Sequence, residues 1–409
     1  MIKNNWQIKK LGEVCKLKNG YAFKSDNYLD NGIPVIRISD IKDGLIVPRN
    51  TVYVSEDSVY DNYIINENEI IVAMSGATTG KFGIYKSKEK AYQNQRVGKF
   101  DIIDKKQLDN NFLLHQLHSL KRQIEKDAYG GAQPNISSKK IEEMEIVLPP
   151  LETQQAIVSK IEELFSELDK GIAELKTAQK QLKTYRQSVL KSAFEGKLTN
   201  DNVKDGELPD GWKSKSLKDL VLKVEKVKRK EVDENEGLIY LDIGGINNNS
   251  NRIENYKKYF WKDAPSRAQQ IVKQNDILFS TVRTYMKNIA IVDKEIYNNQ
   301  IASSGFTVLR ADSCVNYKYI YYNTISDVFL NPLNELQTGT SYPAVRDSDV
   351  LSQTINLPLS PEEQHRIVQE IESRLSVADK MEQSIQESLQ KAEALRQSIL
   401  KKAFCGELV

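Results

Sequence analysis

Few side chains in this sequence have the spacing that catalysis requires. Residues Gly76–Lys81 read GATTGK, which approaches a phosphate-binding loop. Such a loop has one more residue between its glycines and a Ser or Thr after its lysine, so nucleotide binding is not predicted. His115 and His118 are three residues apart on a predicted helix, but no nearby Cys or third His completes a metal-binding set. We expect both histidines to be exposed polar residues of that helix.

Acid–base and methyl-transfer chemistry are equally poorly supported. Asn331–Asn334 reads NPLN, which lacks the second proline and the aromatic residue of the Asn-Pro-Pro-aromatic motif of amino-group methyltransferases. We therefore interpret it as a turn. The chain has 3 histidines, and its carboxylates form no pattern typical of a nuclease or hydrolase. The sequence predicts a binding protein that is not an enzyme and that holds no cofactor or metal itself.

Length and composition limit the class of protein to which this chain can belong. The 409 residues, 40% hydrophobic and 28% charged, are typical of a globular protein of two or three domains. No apolar stretch approaches the roughly 18 residues of a membrane span, so a cytoplasmic location is expected. The three cysteines lie far apart and favour no disulfide framework. The net charge of +2 does not by itself indicate a nucleic-acid binder, so any basic surface must arise from local arrangement.

The strongest pattern is an internal repeat. Residues 154–199 align with 364–409 without a gap, and about 17 of the 46 pairs are identical. The densest match pairs RQSVLKSAFEGKL (Arg186–Leu198) with RQSILKKAFCGEL (Arg396–Leu408). Fainter correspondences precede these segments: Trp6 with Trp212, 64–72 with 271–279, Asn94-Gln95 with Asn299-Gln300, and 130–136 with 339–345. The chain therefore contains two copies of one plan, a globular region followed by a repeated segment.

Both repeated segments are predicted to be long helices. Apolar or small residues recur every seven positions, at Ile161, Leu168, Leu175, Leu182 and Val189 and at Ile371, Ala378, Ile385, Ala392 and Ile399. Prolines stand at or before the start of each segment, and Gly196 and Gly406 stand where a helix would end. A helix of about 44 residues would be roughly 66 Å long, which is typical of a coiled-coil spacer.

The fold class that follows is α+β, with two mixed α/β domains joined by two long antiparallel helices in a pseudo-twofold repeat. The globular regions contain short apolar runs that suit buried strands, and Asn111–Lys126 has helical periodicity. We place the domain boundaries at 1–150, 151–200, 201–357 and 358–409, in which a globular region alternates with a spacer helix.

These residues together resemble the specificity subunit of a type I restriction–modification system. The resemblance covers essentially the whole chain. It is carried by the motifs LPDGWKSKSLKDL, GATTGKFGIY, NQRV and GGAQPNIS, and above all by two helices that open with LPPLETQQAIV and LPLSPEEQHRIV and close with the shared RQS motif. The second copy departs where TVRTYMKN replaces the glycine-rich turn and GTSYPAV replaces GGAQPNI.

The resemblance implies a scaffold for recognition of double-stranded DNA. Each globular region would be a target recognition domain that reads one half of a bipartite, asymmetric site. The helices would hold the domains apart and dock two modification subunits, which carry S-adenosylmethionine and methylate adenine. Two restriction subunits, dependent on ATP and Mg, would join for cleavage.

Reading of base edges requires Arg, Lys, Asn, Gln, Ser and Thr side chains on loops. The corresponding residues of the first copy are Arg37, Ser39, Thr78, Thr79, Lys81, Gln93, Asn94, Gln95, Arg96, Gln133 and Asn135. Those of the second copy are Arg283, Tyr285, Lys287, Asn299, Gln300, Ser341, Tyr342 and Arg346. For any single member, a turn residue or a surface polar group is an equally good interpretation.

Two other functions stay open at this point. A non-catalytic coiled-coil assembly protein would account for the helices but leaves the paired, diverged globular copies unexplained. A stand-alone DNA methyltransferase or nuclease would need catalytic motifs that the sequence does not display.

Overall fold

The computed structural model describes residues 6–42, 44–48, 51–129, 134–200, 202–204 and 206–409. The chain divides into two compact units. The first unit comprises Met1–Leu175 with Glu387–Val409, and the second comprises Lys176–Gln386. No helix in the described part of the chain combines the length and apolar character needed to cross a membrane.

The globular part of the first unit consists of short strands and three helices. Its strands are β1 (Gln7–Lys10), β2 (Cys15–Asn19), β3 (Ile33–Ile36), β4 (Ile41–Lys42), β5 (Gly44–Ile46), β6 (Val52–Val54), β7 (Ile64–Ile65), β8 (Ile70–Ala73), β9 (Phe82–Ile84), β10 (Ala91–Gln93), β11 (Val97–Ile102) and β12 (Glu145–Leu148). Its helices are α1 (Leu11–Val14), α2 (Asn110–Ala128) and α3 (Ser138–Glu142). The helix predicted at 111–126 is therefore confirmed, with Asp109 as its N-cap.

Strand β8 lies at the centre of this region, and both of its faces are buried. The strands form a six-stranded sheet, in the order β2-β11-β8-β9-β5-β4, and a four-stranded sheet, in the order β6-β3-β10-β7. Ile70 and Val72 share one core with helix α2, whereas Ile71 and Ala73 share a second core with residues of the four-stranded sheet. Side chains alternate across a strand, so a continuous apolar run can serve both cores.

Long helix α4 (Leu151–Phe194) leads into the second unit, whose strands follow the same plan. They are β13 (Trp212–Ser216), β14 (Val221–Leu222), β15 (Gly237–Leu241), β16 (Ile246–Asn247), β17 (Arg252–Ile253), β18 (Lys257–Phe260), β19 (Ala268–Ile271), β20 (Ile277–Ser280), β21 (Ile289–Ile291), β22 (Ile301–Ser303), β23 (Phe306–Ala311) and β24 (Thr354–Pro358). Its helices are α5 (Tyr317–Thr324), α6 (Asp327–Glu335), α7 (Asp347–Leu351) and long helix α8 (Pro361–Cys405).

The second unit repeats the arrangement around strand β20. One sheet has the order β14-β23-β20-β21 and another has the order β18-β15-β22-β19. Ile277 and Phe279 face the core that contains α5 and α6, while Leu278 faces the core below the other sheet. Two shorter helices, α5 and α6, thus take the place that α2 has in the first unit. The turn predicted at Asn331–Asn334 is wrong, because these residues lie inside α6, with Pro332 within the helix.

The two long helices pair in an antiparallel manner within each unit. In the first unit, Arg396 of α8 forms an ion pair with Asp169 of α4 and places its guanidinium 4.5 Å from the centre of the Phe165 ring. In the second unit, Arg186 of α4 contacts Asp379 at 2.5 Å and Glu382 at 2.9 Å on α8. The arginine of the closing motif therefore meets the same aspartate of the opposite repeat in both units. This confirms the predicted antiparallel helices and internal repeat.

The far end of each helix completes a globular core. Phe404, near the end of α8, contacts Phe112 of α2 edge to face at 5.5 Å in the first unit. Its repeat partner Phe194, at the end of α4, contacts Tyr319 of α5 at 5.3 Å in the second unit. Both phenylalanines are buried. Each unit therefore depends on residues that are remote in the sequence.

This arrangement predicts selective destabilisation by two matched substitutions. Phe404→Ala should destabilise the first unit by about 3–5 kcal/mol, because it removes a buried aromatic side chain from that core. Phe194→Ala should do the same to the second unit. Hydrogen exchange of α2 and α5 would measure each effect, with each variant as the control for the other. Equal loss of protection in both helices for either variant would contradict the division of the cores.

Candidate nucleic-acid interface

Three loops of the first unit meet at one end of β8. They are the loop 74–81 between β8 and β9, the turn 94–96 between β10 and β11, and the segment 134–136. Backbone hydrogen bonds hold them together. Met74 donates to the Arg96 carbonyl at 2.9 Å, Gly76 donates to the Pro134 carbonyl at 3.0 Å, and Ile136 donates to the Met74 carbonyl at 3.0 Å. Residues of three predicted motifs thus form one surface, which we call the first loop cluster.

An open cleft of about 480 Å³ lies in this cluster. It is lined by Ser75, Gly76, Ala77, Arg96, Tyr129 and Pro134. Arg96 is exposed, and the ring of Tyr129 is 55% exposed at the end of α2. Guanidinium and amide donors beside an aromatic ring can hydrogen-bond base edges or contact phosphates.

Most predicted residues of the first copy lie on or beside this cluster. Lys81, Gln95 and Asn135 are exposed, and Thr78 and Asn94 are half-buried. The Thr78 hydroxyl donates to the Ile38 carbonyl at 3.3 Å, which brings half-buried Arg37 and exposed Ser39 to the same region. Gln133 lies outside the described residues.

Two predicted residues of the first copy have structural roles instead. Gln93 is fully buried, and its side-chain amide donates to the Lys18 and Val97 carbonyls at 2.7 Å each. Thr79 is 2% exposed, and its hydroxyl contacts the Gly76 and Pro134 carbonyls at 2.6 and 3.1 Å. Both side chains satisfy buried backbone groups, so neither belongs to the candidate surface.

The second unit forms the same cluster with different side chains. Thr281 donates to the Gly305 carbonyl at 3.0 Å, Arg283 to the Pro343 carbonyl at 2.7 Å, and Val345 to the Thr281 carbonyl at 3.0 Å. These three bonds match those of the first cluster one for one. We call this surface the second loop cluster. Its exposed side chains include Tyr285, Met286, Ser341, Tyr342 and Arg346.

The matching bonds also correct one part of the repeat alignment. Gln93 pairs with Ile36 across parallel strands, and Ala302 pairs with Leu241 at the equivalent place. Asn94-Gln95 therefore follows its strand, whereas Asn299-Gln300 precedes β22. The counterpart of the Asn94–Arg96 turn is Ser303–Gly305. The Gln300 side chain instead accepts a hydrogen bond from the Ile239 backbone at 2.7 Å, so it supports the sheet.

The Lys287 side chain does not belong to the candidate surface either. Its ammonium group contacts the Asp327 carboxylate at 2.7 Å and the Ile325 carbonyl at 3.3 Å. The side chain therefore holds the start of α6. Tyr129 and the Ser303–Gly305 turn were not among the residues predicted from the sequence. Tyr129 could have been found from its position directly before GGAQPNI, whereas the turn shares no residue with its counterpart.

One family matches the chain twice. The family described as "Type I restriction modification DNA specificity domain" matches residues 3–177 and 209–391, one match for each globular region. The chain belongs to this family.

Two relatives match this specificity-family chain over its whole length. The EcoBI specificity subunit of Escherichia coli is 26% identical, over 100% of this chain and 87% of the relative. The EcoKI specificity subunit of Escherichia coli strain K12 is 24% identical, over 100% and 90%.

Two solved structures show the same fold. A chain from a type I R-M system, in a structure of its complex assembly and conformational transition, has a TM-score of 0.77 at 20% identity and covers 100% of this chain and 99% of that one. The HsdS subunit of Thermoanaerobacter tengcongensis has a TM-score of 0.57 at 19% identity, covering 99% and 98%.

The histidine pair of this specificity-family chain belongs to the core of the first unit. His115 is 6% exposed and packs against Phe165, and His118 packs against Phe82. We expected both histidines to be exposed, but His115 is buried and His118 is half-buried, so neither is an exposed residue of the helix. Burial lowers the pKa of each to about 4, and nearby positive charges contribute to the shift at His118. Among the described residues, no group of three or more His, Cys, Asp and Glu could hold a metal ion.

These pKa values predict that the first unit is the more acid-sensitive. A folded pKa near 4 lies below the ordinary value of about 6.5, so the unfolded chain binds more protons between these values. The stability of the first unit should therefore fall as the pH is lowered through this window. His115→Gln should weaken the dependence. Hydrogen exchange of α2 from pH 7 to 4 would measure it, with α5 as the internal control. A steeper loss in α5 would contradict the assignment.

Proposed function

We propose that this chain is the DNA-reading subunit of a type I restriction–modification complex, in which each loop cluster reads one half of a bipartite, asymmetric site. The observation that carries the proposal is the doubled cluster. One backbone frame presents different side chains in the two units, as two readers of different half-sites require. Sequence is read through hydrogen bonds to base edges, for which arginine, asparagine and glutamine are well suited.

Charge supports a role within a larger complex. The chain carries 58 basic and 56 acidic residues, and affinity for DNA grows with the number of phosphates that a protein neutralises. This chain alone should therefore bind DNA weakly. In the proposed complex, two modification subunits supply further contacts and carry S-adenosylmethionine for adenine methylation. Two restriction subunits that use ATP and Mg join for cleavage, and the complex acts in the cytoplasm.

The repeated helices offer a place for the modification subunits. Tyr185 of α4 and Leu395 of α8 occupy the same position of the repeat, directly before the shared RQS motif. They are 43% and 51% exposed. An exposed apolar residue at the same position of each repeat suits one partner subunit per repeat.

We further propose that the chain supplies no catalytic group. The candidate surface displays hydrogen-bond donors and aromatic rings, which suit recognition. Methyl transfer from S-adenosylmethionine by the purified chain alone would favour the methyltransferase alternative. DNA binding that is unchanged by a modification subunit would argue against shared binding.

Substitution of Arg96 tests the reading of one half-site. Arg96→Ala should relax the specificity at one base pair of one half-site, by about 1–3 kcal/mol, and leave the other half-site unchanged. The methylated motif in a host that expresses the variant with its modification subunit would show this. Uniform weakening on all sequences with a shallower salt dependence would instead identify Arg96 as a phosphate contact. Lys106→Ala serves as a control, since this lysine is exposed and lies outside the first loop cluster.

The helices should also set the distance between the half-sites. Four residues inserted after Leu175 and four after Gln386 would lengthen both helices where the two units meet along the chain. Each insertion adds about 6 Å and about 400° of turn, so the apolar seam is displaced by only about 40°. The preferred spacer should grow by one or two base pairs of about 3.4 Å each. Two-residue insertions rotate the seam by about 200° and should abolish activity. An unchanged spacer in an active four-residue variant would refute this role.

A further inference from the structure

The loop after β20 follows the same path as the glycine-rich loop of the first unit, but without its glycines. Gly76 and Gly80 have φ angles of +86° and +83°. Arg283 and Lys287, at the equivalent positions, have φ angles of +50° and +54°. The hydrogen bond from Gly76 to Pro134 recurs from Arg283 to Pro343, which establishes the correspondence. The second unit therefore keeps a left-handed backbone with two long side chains that disfavour it.

A residue other than glycine is strained in this conformation, and such strain is concentrated at ligand sites. At Lys287 the cause is structural, because its ammonium group anchors α6 through Asp327. Arg283 has no comparable ion pair among the described residues. Its side chain makes contacts of a different kind.

Two contacts hold the Arg283 side chain in place. One terminal nitrogen donates to the Ser341 carbonyl at 2.9 Å, and the guanidinium lies 5.0 Å from the centre of the Tyr342 ring. The Nε atom is buried and has no hydrogen-bond partner among the described residues. Tyr342 is 73% exposed, so the stacked pair lies at the surface. Arginine has five N–H donors in a planar fork, and those of the terminal nitrogens that do not bind Ser341 are left for a ligand.

The first unit shows the reverse arrangement. Its loop has Gly76 where the second unit has Arg283, whereas its turn has Arg96 where the second unit has Gly305. The second equivalence follows from matching bonds, since Met74 donates to the Arg96 carbonyl and Thr281 to the Gly305 carbonyl. Arg96 lines the same cleft as Gly76. Each cluster thus contains one arginine in this pair of positions, supplied from the loop in one unit and from the turn in the other.

We propose that Arg283 is a specificity-determining residue that reads a guanine in the half-site of the second unit. This inference rests on the proposed function. The planar fork of arginine matches the O6 and N7 acceptors of guanine in the major groove. A phosphate contact would not require a side chain fixed by stacking and held on a strained backbone. The fixed orientation favours a base, because base reading depends on the direction of the donors.

Three variants test the proposal in the complex with its modification subunit. Arg283→Gly introduces the glycine of the first unit and relieves the strained backbone. We expect the second half-site to lose its discrimination for guanine at one position by about 5- to 150-fold, while the first half-site and the melting temperature are maintained. Lys287→Gly relieves the same strain in the same loop but removes the ion pair with Asp327, so it should lower stability and leave the guanine requirement intact. Arg283→Lys keeps the charge without the planar fork, so its discrimination for guanine should fall below that of the unsubstituted complex.

The readout is the methylated motif of each variant, together with its thermal unfolding. A second half-site that keeps every base requirement in Arg283→Gly overturns the inference, and a shallower salt dependence of that variant would identify a phosphate contact. Undiminished discrimination in Arg283→Lys overturns it as well, because the planar fork would then not be what reads the base. A large loss of stability in Arg283→Gly would show that the residue only clamps the loop around Ser341. If the unsubstituted complex methylates no bipartite motif, the proposed function itself fails, and this outcome is separate from the others.

Discussion

The burial of each long helix end in a globular core is the interaction on which the rest of the structure depends. The ends of α4 and α8 contribute Phe194 and Phe404 to cores built mostly from distant sequence. The starts of the same helices are buried as well, with Ile157 of α4 in the core of the first unit and Ile367 of α8 in that of the second. A helix that is buried at both ends cannot slide along its neighbour without opening a core. The ion pairs of Arg186 and Arg396 with the opposite helix follow the same register. Surface ion pairs contribute little to stability, so they specify alignment while apolar burial supplies the energy.

Much of this architecture could be predicted from the sequence, because the evidence was periodic. The seven-residue pattern defined both helices, and the gapless repeat defined two copies of one plan. Short strands were less certain, since an apolar run such as Ile70–Ala73 suits several structures until both faces are known to be buried. Pro332 argued for a turn, yet tertiary packing of Phe329, Leu330 and Leu333 outweighs the local preference and keeps a helix.

The candidate site was harder to predict for two physical reasons. Polar residues on loops look alike in a sequence whether they face solvent or satisfy buried carbonyls, as Gln93 does. In the second unit the equivalent carbonyl, that of Phe306, is satisfied by Gln270 from a different strand. Loops of unequal length also shift the alignment between the copies, so the shared letters of Asn94-Gln95 and Asn299-Gln300 were misleading. Only strand register and backbone hydrogen bonds identify the equivalent positions.

Because backbone groups make the bonds that hold each loop cluster, the frame does not depend on the side chains that it displays. The three matched bonds involve only amide hydrogens and carbonyl oxygens. Substitution at Gly76, Arg96, Arg283 or Gly305 can therefore change the surface chemistry while the loop path is kept, at the cost of some backbone strain where Gly76, with its positive φ, is replaced. A scaffold of this kind separates folding from recognition. The two copies can keep the same arrangement of cores and the same repeated helices and still differ at the side chains that their loop clusters display.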